Sequence, residues 1–270
     1  LRCDPLTTRL GVDAMAITDK YVSATATGSG DGSSESSPWT LEQAVSSSSV
    51  GMRVNIKKGV YTLTSNLNTA FNGAVYRPIL WRGYNTTPGD LDDKRTAAVG
   101  STIEDEMPVI DCAGYYFILD GYLHNLIGIC FKQTSGNLYP ALYDRRLYGW
   151  AKNCIWIMDA ANSARPACDC GSQKYRTYVN CEFRAKGDTS NSDDYAIEIT
   201  QSGVSFHYCL FNANGASSTT TNGLVYVQGA DTTFNKCVFD GGSRQIHSNL
   251  NSFTAIDCVF HNAGDDAIHL

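Results

Sequence analysis

The 270 residues read as an all-β chain wound into a parallel β-helix, and three observations predict this. A Cys-x-aromatic signature recurs at Cys154-Ile155-Trp156, Cys181-Glu182-Phe183, Cys209-Leu210-Phe211, Cys237-Val238-Phe239 and Cys258-Val259-Phe260, its cysteines 27, 28, 28 and 21 positions apart. A second short strand recurs before the signature, at Tyr195–Ile199, Leu224–Val227, Gln245–His247 and Ala267–His269, where Leu224, Gln245 and Ala267 step by 21 and 22. No helix-length segment lies between them, and a fixed period of several short strands is what stacked coils produce.

Each signature sits in a run with strand alternation. In Phe234–Asp240 the run reads as one strand, with Cys237 and Phe239 on one face and Lys236 and Asp240 on the other. Corner clusters follow at Asn212-Ala213-Asn214-Gly215, Asp240-Gly241-Gly242 and Asn262-Ala263-Gly264-Asp265, residues that accept the positive φ of tight turns. Equivalent residues of successive coils lie about 4.8 Å apart, so the cysteines and phenylalanines are expected to form inward stacks.

Taken in order, residues 1–19 show no rung pattern, and the apolar stretch Leu10–Ile17 calls for cover; we read 1–19 as a docking arm and 20–270 as the β-helix domain. Tyr21-Val22-Ser23 is a strand, followed by a Gly/Ser loop to Ser37. Thr40 with Gln43 makes a capping box ahead of the apolar stripe Leu41, Ala44 and Val45, a short helix placed to cover the open end of the solenoid. Gly51–Leu63 gives two strands joined at Lys57-Lys58-Gly59, and Pro78–Tyr84 begins the next coil. The acid-rich stretch 85–107 reads as a surface loop. Rungs resume at Val109–Cys112, Tyr116–Gly121 and Leu126–Phe131, where Phe131 adjoins Cys130 and leaves the register of that coil open. Lys132–Trp150 and Ala160–Tyr175 read as polar and aromatic insertions that leave the coil, and loops along one side of a solenoid are where binding surfaces usually lie.

This pattern resembles the right-handed parallel β-helix of the pectin-lyase-like superfamily over about residues 20–270, and the order of strand, Gly-rich loop, helix and Gly-x-Tyr strand resembles the entry to bacterial and viral β-helices. The resemblance implies a single-stranded right-handed parallel β-helix with an N-terminal capping helix. It does not choose an activity, because the fold hosts lyases, hydrolases, phage tailspikes and inert structural proteins.

A formal net charge of −6 and the absence of a Lys/Arg run argue against a nucleic-acid partner. No apolar run approaches the roughly 18 residues that cross a bilayer. Ten cysteines is a high count, but at least five recur at one inward site where a small apolar thiol stacks well, so we expect reduced, structural thiols. Leu1 is not Met and Leu270 falls inside an expected strand, which suggests a longer gene product.

Several groups carry candidate chemistry. Gly264-Asp265-Asp266 resembles the paired-aspartate segment of polygalacturonase-type hydrolases, making Asp265 and Asp266 weak catalytic candidates. The Asn-x-Asp segment those enzymes carry one coil earlier is absent at Gly242–Ile246. Arg145, Arg146, Arg165, Lys174, Arg176, Arg184 and Lys186 supply cations for a lyase, but Asp188, Asp193 and Asp194 form no clear calcium cage beside them. Cys168-Asp169-Cys170 with His207 or His261 is a weak zinc pattern, and we expect no metal and no cofactor. His247, His261 and His269 fall on neighbouring coils and read as a solvated face. The ligand-binding candidates are Tyr139, Tyr143, Arg145, Arg146, Tyr148 and Trp150, aromatic faces beside guanidinium groups suited to acidic glycans, or else packing for the insertion itself.

The expected function is a non-catalytic structural or receptor-binding appendage of a phage virion, a tailspike, fibre or capsid-associated protein that binds surface polysaccharide. It would be made in the host cytoplasm, attached to virion proteins through residues 1–19, and repeated as the trimers common in that class. Two alternatives stand beside it: a polysaccharide lyase or glycoside hydrolase of the same superfamily, and a secreted cell-surface adhesin.

Overall fold

Three parallel sheets run the length of the computed structural model, which describes residues 17–69, 73–74, 77–94, 103–135, 139–159, 165–171, 175–185, 195–213, 223–249 and 253–270. Sheet A holds nine strands, from Thr18–Val22 to Phe253–Ile256. Sheets B and C hold eight each, from Gly59–Thr62 to Val259–His261 and from Leu67–Thr69 to Ile268–His269. From Met52 onward the strands visit A, B and C in fixed rotation, and neighbours in each sheet pair in parallel, which makes the chain a right-handed parallel β-helix.

One backbone conformation sets the corner between A and B. Gly128, Asn153, Asn180, Tyr208, Lys236 and Asp257 occupy it in successive coils, with φ between 51° and 61°. This corrects the reading of Phe234–Asp240 as one strand. Thr232–Asn235 belongs to sheet A and Val238–Asp240 to sheet B, and the left-handed Lys236 between them swings the chain while returning Cys237 and Phe239 to the interior.

The inward stacks follow. Trp156, Phe183, Phe211, Phe239 and Phe260 form a column of rings with centroids 4.7 to 5.2 Å apart, each pair within 10° of parallel. A second column, Tyr178, Phe206 and Phe234, meets the first edge-on. Such pairs contribute about 0.5–1.5 kcal/mol each beyond area burial. Beside them the thiols of Cys181, Cys209, Cys237 and Cys258 each reach a main-chain carbonyl one coil back, at 3.5 to 3.6 Å. All nine cysteines of the described residues are free thiols.

At Cys130 the register is now set. Cys130 pairs with Ile155 and Phe131 with Trp156, so Phe131 joins the ring column and Ile129 fills the thiol position. Cys130 turns outward against Leu91, Met107, Ile155 and Ile157, a small apolar cluster where part of the acid-rich loop docks on sheet B.

The capping helix, Leu41–Ser47, begins at Thr40, whose Oγ accepts the Gln43 N–H while the Thr40 N–H donates to Gln43 Oε1; it buries Leu41, Ala44 and Val45. The strand Thr18–Val22 pairs with Met52–Lys57, so Thr18 and Asp19 are rung residues and not part of an arm; Asp19 accepts two bonds from Arg53 at 2.5 and 2.7 Å. The rest of the docking-arm reading, residues 1–16, lies outside the described residues. Two expected insertions are corrected likewise. Leu142–Leu147, Gly149–Lys152 and Cys168–Cys170 are rungs of sheets C, A and C; in the first, the buried charged residues Asp144 and Arg146 sit at the inward positions and hid the alternation.

Candidate functional site

From Cys168–Cys170 onward the strands of sheet C are two or three residues long, and alternation leaves one outward side chain per coil. In Cys168–Cys170, Ile197–Ile199, Val225–Val227 and Ile246–Ser248 the flanking residues are buried and the middle one is not. Register then lines up Tyr143, Asp169, Glu198, Tyr226, His247 and His269 in a single outer row, each a strand spacing of about 4.8 Å from the next.

Aromatic rings brace both parts of the row. Tyr116 meets Tyr139 and Tyr143 edge-on at 5.0 and 5.9 Å, and the Arg145 guanidinium lies 5.0 Å above the Tyr143 ring. Further along, Tyr195 stacks on Tyr226 at 4.8 Å and its hydroxyl lies 3.3 Å from His247 Nδ1, while the His247 and His269 rings meet at 5.3 Å.

Burial raises the Asp169 carboxyl above the ordinary carboxylate value, against the opposing pull of Arg145, Arg165 and Arg176 and a hydrogen bond from the Gly171 main chain. Burial also raises the Tyr143 hydroxyl. His247 is lowered, first by desolvation and then by the positive fields of His269 and Arg244. The row therefore offers a neutral-leaning acid, a second carboxylate, neutral-leaning imidazole and aromatic faces, with guanidinium groups beside one end.

No family model and no curated protein matches the chain. Among solved structures it is similar to pectate lyase Pel9A, with a TM-score of 0.56 and 12% identity over 92% of this chain and 78% of that one. The chain shares the parallel β-helix fold of that lyase. A rhamnogalacturonan lyase (TM-score 0.49, 10% identity, 89% of this chain and 74% of that one) and a pectin methylesterase from Aspergillus niger (0.49, 12%, 92% and 87%) are also similar. At these identities the likeness is one of fold, and the roles of residues are argued from this β-helix alone.

The six ligand-binding candidates do not form one cluster in the β-helix. Tyr139, Tyr143 and Arg145 lie on the outer face of sheet C. Arg146 is corrected: it is 0% exposed inside the solenoid, because alternation along Leu142–Leu147 points Asp144 and Arg146 inward. Tyr148, at φ 57°, makes the corner from C to A and stacks on exposed Tyr175 at 5.3 Å. Trp150 then faces outward from sheet A. Asp265 and Asp266 precede the last strand of sheet C, exposed; Asp265 lies 3.9 Å from Arg244 and Asp266 3.4 Å from His269. Of the histidines, His247 and His269 do meet, while His261 is on sheet B.

Asp169, Glu198 and Tyr226 were not singled out from sequence as a group. The usable signal was the middle position of the triplets Cys-Asp-Cys, Ile-Glu-Ile and Val-Tyr-Val, apolar on both sides of one polar or aromatic residue.

A carboxylate oxygen of Asp144 and the sulfurs of Cys168 and Cys170 lie within 4.8 Å of one another in the interior. They suit a metal poorly. Asp144 already accepts Arg146 Nε and Nη2 at 2.7 and 2.5 Å and the Tyr178 hydroxyl at 2.6 Å, with Arg176 Nε 3.6 Å away, so two guanidinium charges oppose a cation. The zinc reading of Cys168-Asp169-Cys170 is corrected too: Asp169 faces outward while both cysteines face inward, and His207 and His261 sit on the outer faces of sheets A and B. Of the lyase cations, Arg176 is buried and Arg184 lies against Glu182 on sheet B, at 2.5 Å; Lys174, Lys186, Asp188, Asp193 and Asp194 lie outside the described residues.

Proposed function

We propose that this β-helix binds an extended acidic polysaccharide along the outer face of sheet C. The observation that carries the reading is the outer row itself, Tyr143, Asp169, Glu198, Tyr226 and His247 at one side chain per coil, with Arg145 held over the Tyr143 ring. A row with a rise of about 4.8 Å per step is close to the length of one sugar residue in an extended chain. Aromatic faces suit the apolar face of a pyranose, and Arg145 and Arg165 suit a carboxylate or sulfate on it. Mixed charge favours a ligand that also hydrogen-bonds through hydroxyls over a purely electrostatic one. The virion assignment draws no support from the fold or from the structures it resembles; a glycan-binding role is the part of that expectation the site supports.

The test is affinity electrophoresis through gels carrying polygalacturonate, alginate or hyaluronan, with a neutral glucan as control. The chain is expected to be retarded by an acidic polymer, with retardation reduced by added salt and lost in Tyr143→Ala and Arg145→Ala. Tyr208→Ala, which removes an exposed ring at the A-to-B corner, serves as the control that leaves binding unchanged. Equal retardation of wild type and Arg145→Ala would overturn the reading.

A further inference from the structure

We propose that the cleft between the Ser/Thr-rich loop 23–37 and the corner Lys57-Lys58 is a second binding site, one for a small sugar that carries a phosphate or sulfate ester. It is independent of the binding reading above. The cleft sits where sheet A turns into sheet B in the first coil, whereas Tyr143 belongs to sheet C two coils further on.

The loop is held in one shape from several sides. Its ends meet where Trp39 bridges Val22, with the Trp39 N–H donating to Tyr21 O at 2.8 Å and the Ser23 N–H to Trp39 O at 3.2 Å. Its middle is tied to the first strand by the Tyr21 N–H, which donates to Gly32 O at 3.0 Å, and by the Lys20 ammonium, which donates to Asp31 O at 2.9 Å while lying over the Trp39 ring. Asp31 in turn accepts the Ser33 N–H and hydroxyl at 3.0 and 2.7 Å. Two glycines permit this path. A Cβ at Gly30 would lie 2.2 Å from Pro38 O, and one at Gly32, where φ is 69°, would lie 2.6 Å from the Trp39 ring. A loop fixed this way loses little conformational entropy when a ligand binds. The space it bounds is about 570 Å³, within the roughly 300–1,000 Å³ of small-molecule sites.

The lining selects the ligand. Hydroxyls predominate: those of Ser23 and Thr25 lie 3.0 Å apart and those of Thr27 and Ser29 3.2 Å apart, and each can donate or accept as a polyol requires. Among the described residues no aromatic ring and no large aliphatic side chain lines the cleft, which argues against a lipid or an apolar peptide. The charge comes from the corner, where the Lys58 N–H donates to Tyr84 O at 2.7 Å and so fixes the backbone of two adjacent lysines. One carboxylate opposes them: Glu35 Oε2 lies 2.8 Å from Lys57 Nζ, and Glu35 also bonds to the Tyr84 hydroxyl. Lys58 is exposed and has no ion-pair partner among the described residues. Two cations against one carboxylate leave one positive charge in excess, on a chain whose net charge is −6. An ammonium binds phosphate or sulfate oxygens as a point charge, and the same excess opposes a metal ion.

Isothermal titration calorimetry of the full chain with galactose 6-phosphate, galactose 6-sulfate, galactose and inorganic phosphate tests this. At least one ester is expected to bind, and the tighter of the two names the ester the site takes. Galactose and inorganic phosphate should each bind roughly tenfold more weakly or worse, since each reaches only the hydroxyls or only the lysines. Lys58→Ala should weaken the ester by roughly tenfold, Lys58→Arg should restore most of the affinity, and Glu35→Gln, which removes the competing carboxylate, should tighten it. Thermal melts separate folding from binding, and the exposed Lys58 should leave Tm unchanged when substituted. Inorganic phosphate binding as tightly as the esters would reduce the site to an adventitious anion contact and overturn the proposal. Absence of binding by both esters, full affinity in Lys58→Ala, or weaker binding in Glu35→Gln at unchanged Tm overturns it as well.

Discussion

Arg146 and Asp144 stand two residues apart on one strand of sheet C and close on each other inside the solenoid, Nη2 to Oδ2 at 2.5 Å, with both side chains fully buried. A second guanidinium, Arg176, approaches the same carboxylate, and both arginines also donate to main-chain carbonyls, Arg146 to His124 and Trp150 and Arg176 to Arg146 and Gly171. The network thus ties three successive coils through groups that would otherwise be buried charges.

Asp144→Asn is therefore expected to destabilise the β-helix by roughly 3–5 kcal/mol, the range seen when one partner of a buried pair is removed. Urea unfolding of the two proteins at neutral pH measures it. The sign with pH also follows. The guanidinium groups hold Asp144 far below the ordinary carboxylate range, so its contribution is fully present above the unfolded value of about 3.9 and is lost as pH falls below it. The gap between wild type and Asp144→Asn should narrow on acidification below about pH 4; a gap that widens would refute the assignment.

The cysteines make a prediction about access. Burial pushes the Cys154, Cys181 and Cys209 thiols well above their ordinary value, and all three are fully or almost fully enclosed. A thiol reagent should leave them unmodified in the native protein and label them on unfolding, with the partly exposed Cys258 reacting first among the cysteines of the described residues. Mass spectrometry after alkylation reads the order, and disulfide-linked peptides from this column would contradict it.

At the corner between sheets A and B, Lys236 holds φ at 54° with a side chain that carries a Cβ. Lys236→Gly should be neutral or stabilise by up to about 1 kcal/mol, while Lys236→Val should cost about 1–3 kcal/mol. Thermal melts of the pair check this; equal effects would mean that the corner is not what the residue determines.

Glycan binding should respond to Asp169. Because burial raises this carboxyl above the ordinary value of about 4, it loses its negative charge as pH falls through a window that begins above that value. The groups around it are Tyr143, Arg145, Arg165, Arg176 and Glu198, of which the arginines keep their charge throughout. Affinity for polygalacturonate should rise across that window in wild type and stay flat in Asp169→Asn, measured by retardation at several pH values. A parallel comparison of Tyr143→Ala with Trp150→Ala tells which face the polymer uses, since the two rings project from sheets C and A.

The solenoid, its capping helix and the inward columns are legible in the amino-acid order, because they depend on local alternation and on a repeat that places like residues on like residues. Thr40 with Gln43 and the series from Cys181 to Cys258 could be read without coordinates for that reason. The candidate site could not. Tyr143, Arg145, Arg146, Tyr148 and Trp150 are close in sequence, yet one left-handed residue, Tyr148, and simple alternation spread them over two sheets, a corner and the interior. Asp169 and Glu198 are register partners because neighbours in a parallel coil are one full turn apart, and with turns of unequal length only the strand pairing fixes which positions share a row.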